Sequence, residues 1–282
     1  MKRVAVFGLG AMGRRMALRL RAAQYDVVVW SRSSAPDELK DMERAASPRA
    51  AATGADVVLA MVTDDEASRA VWTDASTGAL QGLAKEAIAI ESSTLTPAWI
   101  AELASVARAH GVGFLDAPVL GSRPQADAGA LIHLVGGDAV VLERARPILA
   151  AIGGAVHHLG PSPAGAIAKL AANVLFGAQV ALLGELLAFV GSSALERSRF
   201  VEVMSQLPVA SPAAIAAARS MLGDAFPPMF PIALVAKDLG YAVSSAARAG
   251  ADVPITRTVH DVFAAARDLD EENITAIAKK YR

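Results

Sequence analysis

The sequence predicts an α/β domain with a mostly parallel sheet over residues 1–161, followed by an all-α domain over residues 162–282. Two observations carry that expectation. Short β-branched runs alternate with Ala- and Leu-rich helical stretches through the first half, the pattern of βαβ units. After Pro161 the alternation stops, and the rest reads as helices punctuated by Pro208, Pro212, Pro227, Pro228, Pro231 and Pro254. Length agrees with either one large α/β domain or two ordinary ones, because 282 residues can bury a sizeable core in both cases. In chain order, strands are expected at 4–7, 27–30, 57–62, 87–91, 113–115, 130–135 and 156–159, with helices filling the gaps.

Composition narrows the function classes. The formal net charge is −1 with both signs interspersed, which lacks the basic footprint of a nucleic-acid binder. There is no cysteine, so disulfides, thiolate zinc sites and a cysteine nucleophile are excluded, and a reducing, cytoplasmic setting is compatible. The five histidines, His110, His133, His157, His158 and His260, form no metal-binding spacing, and no metal is expected. Met1-Lys2-Arg3 precedes an apolar run that Arg14 and Arg15 interrupt, which argues against a signal peptide. The apolar stretch 164–194 carries Lys169, Asn173, Gln179 and Glu185, costly on a lipid-facing helix, so a buried helix between the domains is expected and no membrane partner.

The first chemical motif is the segment 2–13, an apolar strand running into Gly8-Leu9-Gly10-Ala11-Met12-Gly13, with helical propensity from Arg14 to Ala23. This is the Rossmann dinucleotide fingerprint in its proper context. Gly8 permits a tight turn, Gly10 lets the backbone approach a pyrophosphate, and Gly13 lets helix and strand pack closely. The helix N-terminus then offers amide donors and its dipole to the phosphates. All six residues are assigned to the cofactor.

At the end of the second strand, Trp30 is followed by Ser31-Arg32-Ser33-Ser34, where an NAD enzyme places an acid against the ribose hydroxyls. No acid is present. Arg32 suits a 2′-phosphate, with Ser31, Ser33 or Ser34 adding hydroxyls, so the cofactor expected is NADP(H). Met61 and Val62, at the end of the third expected strand, are also assigned to the cofactor.

Past the domain junction, Lys169 and Asn173 lie four residues apart on one helix face among small and apolar neighbours. Burial would disfavour the charged lysine and suit it to exchange a proton near neutral pH. In carbonyl reduction Lys169 would protonate the developing alkoxide, with Asn173 holding the lysine or the oxygen. A snorkelling lysine beside a helix-packing asparagine explains the same spacing.

The order of motifs resembles the β-hydroxyacid dehydrogenase family over essentially the whole chain. The resemblance rests on Gly8 to Gly13, Glu91-Ser92-Ser93-Thr94, Asp116-Ala117-Pro118-Val119-Leu120-Gly121-Ser122, Gly165 to Asn173, and Lys237-Asp238-Leu239. Within the family, the stretches 121–126 and 129–132 resemble the glyoxylate/succinic semialdehyde reductases, whose NADPH preference agrees with Arg32. The resemblance implies Lys169 as catalytic proton donor with Asn173 beside it, and Thr94 by the nicotinamide and substrate. It implies Lys237 near the cofactor, and Phe230 and Asp238 as substrate-binding residues from the second domain. Taken alone, Thr94 could instead cap the helix near Pro97, Phe230 could be core, and Lys237-Asp238 a solvated pair.

One departure stands out. The family has Ser where this chain has Leu120, so the substrate carboxylate would be gripped by the amides of Leu120, Gly121 and Ser122. The Ser122 side chain could face the same side if the loop is extended. Leu120 also fits a more apolar carbonyl or imine, as in related imine reductases, although those generally lack the lysine that Lys169 matches. The leading expectation is an NADPH-dependent reductase of small aldehyde or keto acids, cytoplasmic and assembled as a homodimer or homotetramer. Its rivals are an imine or apolar ketone reductase and a non-catalytic NADPH-binding module.

Overall fold

The computed structural model describes residues 2–33 and 36–281; Ser34, named above as a possible phosphate ligand, lies outside them. The chain divides into two compact units, Met1–Lys169 and Leu170–Arg282.

The first unit alternates strands and helices. In order they are β1 (Arg3–Phe7), α1 (Gly13–Ala22), β2 (Asp26–Trp30), β3 (Glu43–Arg44), α2 (Pro48–Ala52), β4 (Val57–Ala60) and α3 (Asp65–Thr73). They continue with β5 (Ile88–Glu91), α4 (Pro97–Ala109), β6 (Gly113–Asp116), β7 (Val119–Leu120), α5 (Arg123–Ala128), β8 (Leu131–Gly137), α6 (Ala139–Ile152) and β9 (Gly153–Gly160). The sheet runs β3-β2-β1-β4-β5-β6-β8-β7, with β9 added to β8. Its first six strands are parallel; β8 pairs antiparallel with β6 and β7, and parallel with β9.

The apolar strand runs follow from burial on both faces. Val4, Val6, Val29, Leu59 and Ile90 pack with Met16 and Leu20 of α1 and Leu142 and Ile148 of α6. Ala5, Phe7, Val28, Val58 and Ala89 point the other way, against Trp72 of α3 and Trp99, Ile100 and Leu103 of α4. Alternate residues of each strand therefore feed separate cores, and each fully buried Leu, Met or Phe contributes about 1.5–3 kcal/mol. Helix starts are set by hydroxyl or carboxylate caps: Ser47 for α2, Asp64 for α3, Thr96 for α4 and Asp138 for α6.

Two expectations shift. The strand expected over 57–62 ends at Ala60, because the Val62 amide leaves the ladder to donate to the Ser93 hydroxyl at 2.7 Å. The two-residue strands β3 and β7 have too few residues to show a period, and the sequence reading omits both. The two compact units meet at Lys169/Leu170, inside the next helix, whose first turn is bonded to Asp116 in β6.

That helix, α7 (Ala164–Gly191), is followed by α8 (Arg197–Met204), α9 (Pro212–Leu222), α10 (Ile232–Arg248), α11 (Pro254–Ala264) and a 3₁₀ segment, Ile274–Tyr281. The second unit is helical, and Pro212 and Pro254 sit at first helical positions where no amide is lost. Its core gathers Val180, Leu183 and Leu187 of α7 with Ala218, Ile232, Leu239, Phe263 and Ile277. By length and composition α7 could cross a membrane. It is only partly the buried helix expected: Leu175, Leu182 and Phe189 form an exposed stripe at sevenfold spacing, with Phe189 71% exposed.

Candidate active site

The glycine loop has the geometry its residues require. Gly8 adopts φ 82° and donates its N–H to the Trp30 carbonyl at 3.0 Å. A Cβ there would stand 2.2 Å from the Met61 carbonyl oxygen, and one on Gly13 would stand 1.9 Å from the Gly8 carbonyl oxygen. Both glycines are thus fixed by the protein's own packing. Gly10 differs: a Cβ on it would meet no protein atom within 4 Å, and the residue is exposed. The open space above Gly10 fits a pyrophosphate approaching the backbone. No side chain among the described residues caps α1; the Arg14 and Arg15 N–H groups donate instead to the Gly10 and Met12 carbonyls, at 3.3 and 3.0 Å, which tightens the loop onto the helix. Arg15 braces the loop by donating to the Ala11 carbonyl at 2.7 Å.

Beyond β2, Ser31 is buried and its hydroxyl donates to the Ser33 carbonyl at 2.7 Å, so it shapes the turn. Arg32 and Ser33 are exposed. The sequence reading omits Arg44, at the end of β3, which donates to the same Ser33 carbonyl at 2.7 Å.

Met61 and Val62 form the loop after β4 and are half-buried. They are tied to the loop after β5 through Glu91, a wholly buried carboxylate. Its Oε2 accepts from Ser68 Oγ (2.7 Å) and Trp72 Nε1 (2.8 Å), and its Oε1 accepts the Ser93 N–H at 3.0 Å. Ser93 Oγ then accepts the Val62 N–H. Desolvation pushes the Glu91 pKa up, opposed by the bonds from Ser93, Ser68 and Trp72. Thr94 follows, half-buried; the cap of α4 is Thr96, not Thr94.

The substrate loop departs from expectation. Gly121 takes φ 107°, which interrupts the extended run that would have aligned the Ser122 and Leu120 side chains. Ser122 is the N-cap of α5 in a capping box with Gln125, whose Oε1 accepts the Ser122 N–H at 2.9 Å. That amide is therefore taken, and the three-amide concavity expected over 120–122 loses one member. Leu120 lies in β7, in register with Ile132 of β8, and is half-buried.

Lys169 is half-buried rather than enclosed. Its position is set one turn earlier. Asp116 Oδ2 accepts the Ala166 N–H at 2.9 Å, and Ser162 donates to Asp116 Oδ1. A Cβ on Gly165 would stand 2.4 Å from the Leu134 carbonyl oxygen, so only glycine lets α7 start this close to the sheet. Desolvation raises the Asp116 pKa to about 6, opposed by the bonds from Ser162 and Ala166.

In the second unit, Asn173 and Asp238 are both buried, 7% and 3% exposed, and Asn173 Nδ2 donates to Asp238 Oδ2 at 2.7 Å. Lys237 Nζ lies 3.1 Å from Asp238 Oδ1 and 4.9 Å from the centre of the Tyr241 ring. The Asp238 carboxylate thus orients Asn173, and the Lys237–Asp238 pair is not the solvated one that spacing alone allows. Phe230 is half-buried against the helical core, its N–H bonded to Asn273 Oδ1 at 2.9 Å and its carbonyl to the Ile274 N–H at 2.7 Å.

Two family models divide the chain between them. Residues 3–160 match the NAD binding domain of 6-phosphogluconate dehydrogenase, and residues 163–281 match the NAD-binding region of NADP-dependent 3-hydroxyisobutyrate dehydrogenase. The chain belongs to the β-hydroxyacid dehydrogenase family. It is therefore an NAD(P)-dependent oxidoreductase. The enzyme is 34% identical over 265 residues to an NAD-dependent L-serine dehydrogenase of Pseudomonas aeruginosa, covering 90% of this chain and 89% of that one. It is 29% identical over 284 residues to glyoxylate/succinic semialdehyde reductase 2 of Arabidopsis thaliana, covering 99% and 79%. Among solved structures, Mycobacterium tuberculosis 3-hydroxyisobutyrate dehydrogenase with L-serine superposes with a TM-score of 0.90 at 28% identity, covering 100% and 99%.

Proposed function

We propose that the enzyme is an NADPH-dependent reductase of small aldehyde or keto acids of the glyoxylate and succinic semialdehyde type. The observation that carries this reading is Lys169, half-buried one turn after the point where Gly165 and Ala166 are fixed on Asp116. When bound, the reduced nicotinamide supplies hydride to the carbonyl carbon. Lys169 Nζ–H then gives its proton to the carbonyl oxygen, the C=O π bond becoming the O–H bond of a hydroxy acid, and the amine regains its proton from solvent. Asn173, held by Asp238, presents a fixed amide on the same helix one turn further along.

The NADP(H) preference is supported by the exposed Arg32 where an acid would mark NAD. The P. aeruginosa relative named NAD-dependent makes this the point most in need of measurement. A second reading, a more apolar carbonyl or an imine, is favoured by Leu120 and by the engaged Ser122 amide, which leave the loop poorer in donors for a carboxylate. The exposed stripe on α7 supports a homodimer or homotetramer, which we place in the cytoplasm. One substrate panel, run with NADPH and NADH in parallel, tests these readings. Glyoxylate or succinic semialdehyde reduced with at least about tenfold higher kcat/KM from NADPH is the expected result, equivalent to one charge-assisted contact. Equal efficiency with both nucleotides overturns the cofactor reading, and turnover confined to imines, or to L-serine oxidation, overturns the substrate reading.

A further inference from the structure

The end of the two-residue strand β3 carries a cation that the glycine-loop fingerprint does not include. Arg44 is in register with Val29, one residue before β2 ends, so it leaves the sheet at the carboxyl edge where ligands of open α/β sheets bind. Its Nη2 donates to the Ser33 carbonyl, which also accepts from Ser31 Oγ, both at 2.7 Å. Two donors on one carbonyl fold the segment back on itself and leave Arg32, between the two serines, exposed.

The acids closest in sequence to Arg44 do not cancel this charge. Glu43 is held by Arg3 at 2.6 Å, and Glu38 by Arg14 at 3.0 Å; Asp37 and Asp41 are exposed. Two guanidinium groups therefore share one short edge of the sheet. A phosphate monoester carries close to two negative charges and three acceptor oxygens, and suits two planar forks better than one.

We infer that Arg44 is a second specificity-determining residue for the 2′-phosphate of the adenosine ribose. It positions the 31–33 turn through Ser33 and adds its own charge beside that of Arg32. This rests on the NADP(H) reading of Arg32.

The test is calorimetric titration of the unliganded protein, wild type, Arg32→Ala, Arg44→Ala and Arg44→Lys, with NADP⁺, NAD⁺, 2′,5′-ADP and 5′-ADP. Melting temperatures serve as the folding control, since Arg44 is exposed and makes one surface bond. Arg44→Ala is expected to weaken NADP⁺ and 2′,5′-ADP by about 10- to 150-fold, the range for a hydrogen bond to a charged group. NAD⁺ and 5′-ADP should stay within about twofold, and Arg44→Lys, lacking the fork, should recover only part of the loss. If wild type prefers NADP⁺ and Arg32→Ala abolishes the preference while Arg44→Ala retains it, the inference fails and the cofactor reading stands. If Arg44→Ala weakens all four ligands equally, Arg44 is structural only and the inference fails. A wild type that binds NADP⁺ and NAD⁺ equally overturns the cofactor reading and the inference together.

Discussion

Replacing Gly10 by Ala should separate cofactor binding from folding. The added methyl meets no protein atom within 4 Å, and the backbone there is outside the left-handed region, so the apo protein has room for it. Gly→Ala at such a site restricts the unfolded chain, which adds about 0.4–1 kcal/mol of stability, so the melting temperature should hold or rise slightly. In the proposed binding mode, by contrast, the cofactor's pyrophosphate approaches the Gly10 backbone where the methyl would stand. Losing one charge-assisted amide bond costs about 1.5–3 kcal/mol, or about 10- to 150-fold in the dissociation constant for NADP⁺. Gly13→Ala is the contrasting control. Its Cβ would overlap the Gly8 carbonyl at 1.9 Å, so α1 must shift from β1, at about 1–3 kcal/mol or more, and the melting temperature must fall. Thermal melts without nucleotide and calorimetric titration with NADP⁺ read the two effects. A Gly10→Ala protein that binds NADP⁺ within twofold of wild type, or that melts early, would refute the reasoning.

Other consequences follow from the buried polar groups and the exposed stripe. Burial holds His133 down at about 4, so from pH 6.5 to 4 only the unfolded chain gains its proton and stability falls by about 3 kcal/mol. Asp116, raised to about 6, acts in the opposite sense: its contribution is full below pH 3.8 and is lost, by about 3 kcal/mol, as pH rises through 6. The two largely cancel between pH 4 and 6, and urea melts of Asp116→Asn should uncover a steep acid loss there; an unchanged pH profile would be contrary. Because Asp238 orients Asn173, Asn173→Ala and Asp238→Ala should each lower kcat about tenfold or more, and the double variant should be no worse than the poorer single; additive losses in steady-state kinetics would contradict the coupling. Leu182→Glu with Phe189→Glu places charge on the exposed stripe of α7 and should shift the light-scattering mass to that of a single chain; an unaltered assembly would remove α7 from the interface.

The parts of this architecture visible in the sequence are those where residue identity encodes backbone need or burial. Gly8 and Gly13 are glycines because Met61 and Gly8 itself leave no room for a Cβ. The strands β1, β2, β4 and β5 read as apolar runs because both of their faces are covered. The engagement of the Ser122 amide is also legible: Ser-x-x-Gln over 122–125 is a capping-box pattern, and the box consumes the amide expected to bind substrate. Arg44 gave no such sign. It meets the turn after β2 only through a sheet pairing between residues distant in sequence, and two-residue strands carry no period. Glu91 and Asp116 lie inside motifs that resemble the family, but their tasks depend on partners up to 50 residues away.

The most direct test of the account is a single-turnover measurement on Lys169→Ala, premixed with NADPH and then with glyoxylate or succinic semialdehyde, following oxidation of the nicotinamide. With Lys169 as the proposed proton donor at the reacting oxygen, the rate should fall by about 10²–10⁴-fold, the range for a positioned general acid, while the NADPH dissociation constant stays within about twofold. A Lys169→Ala enzyme that oxidises bound NADPH at close to the wild-type rate would contradict the account.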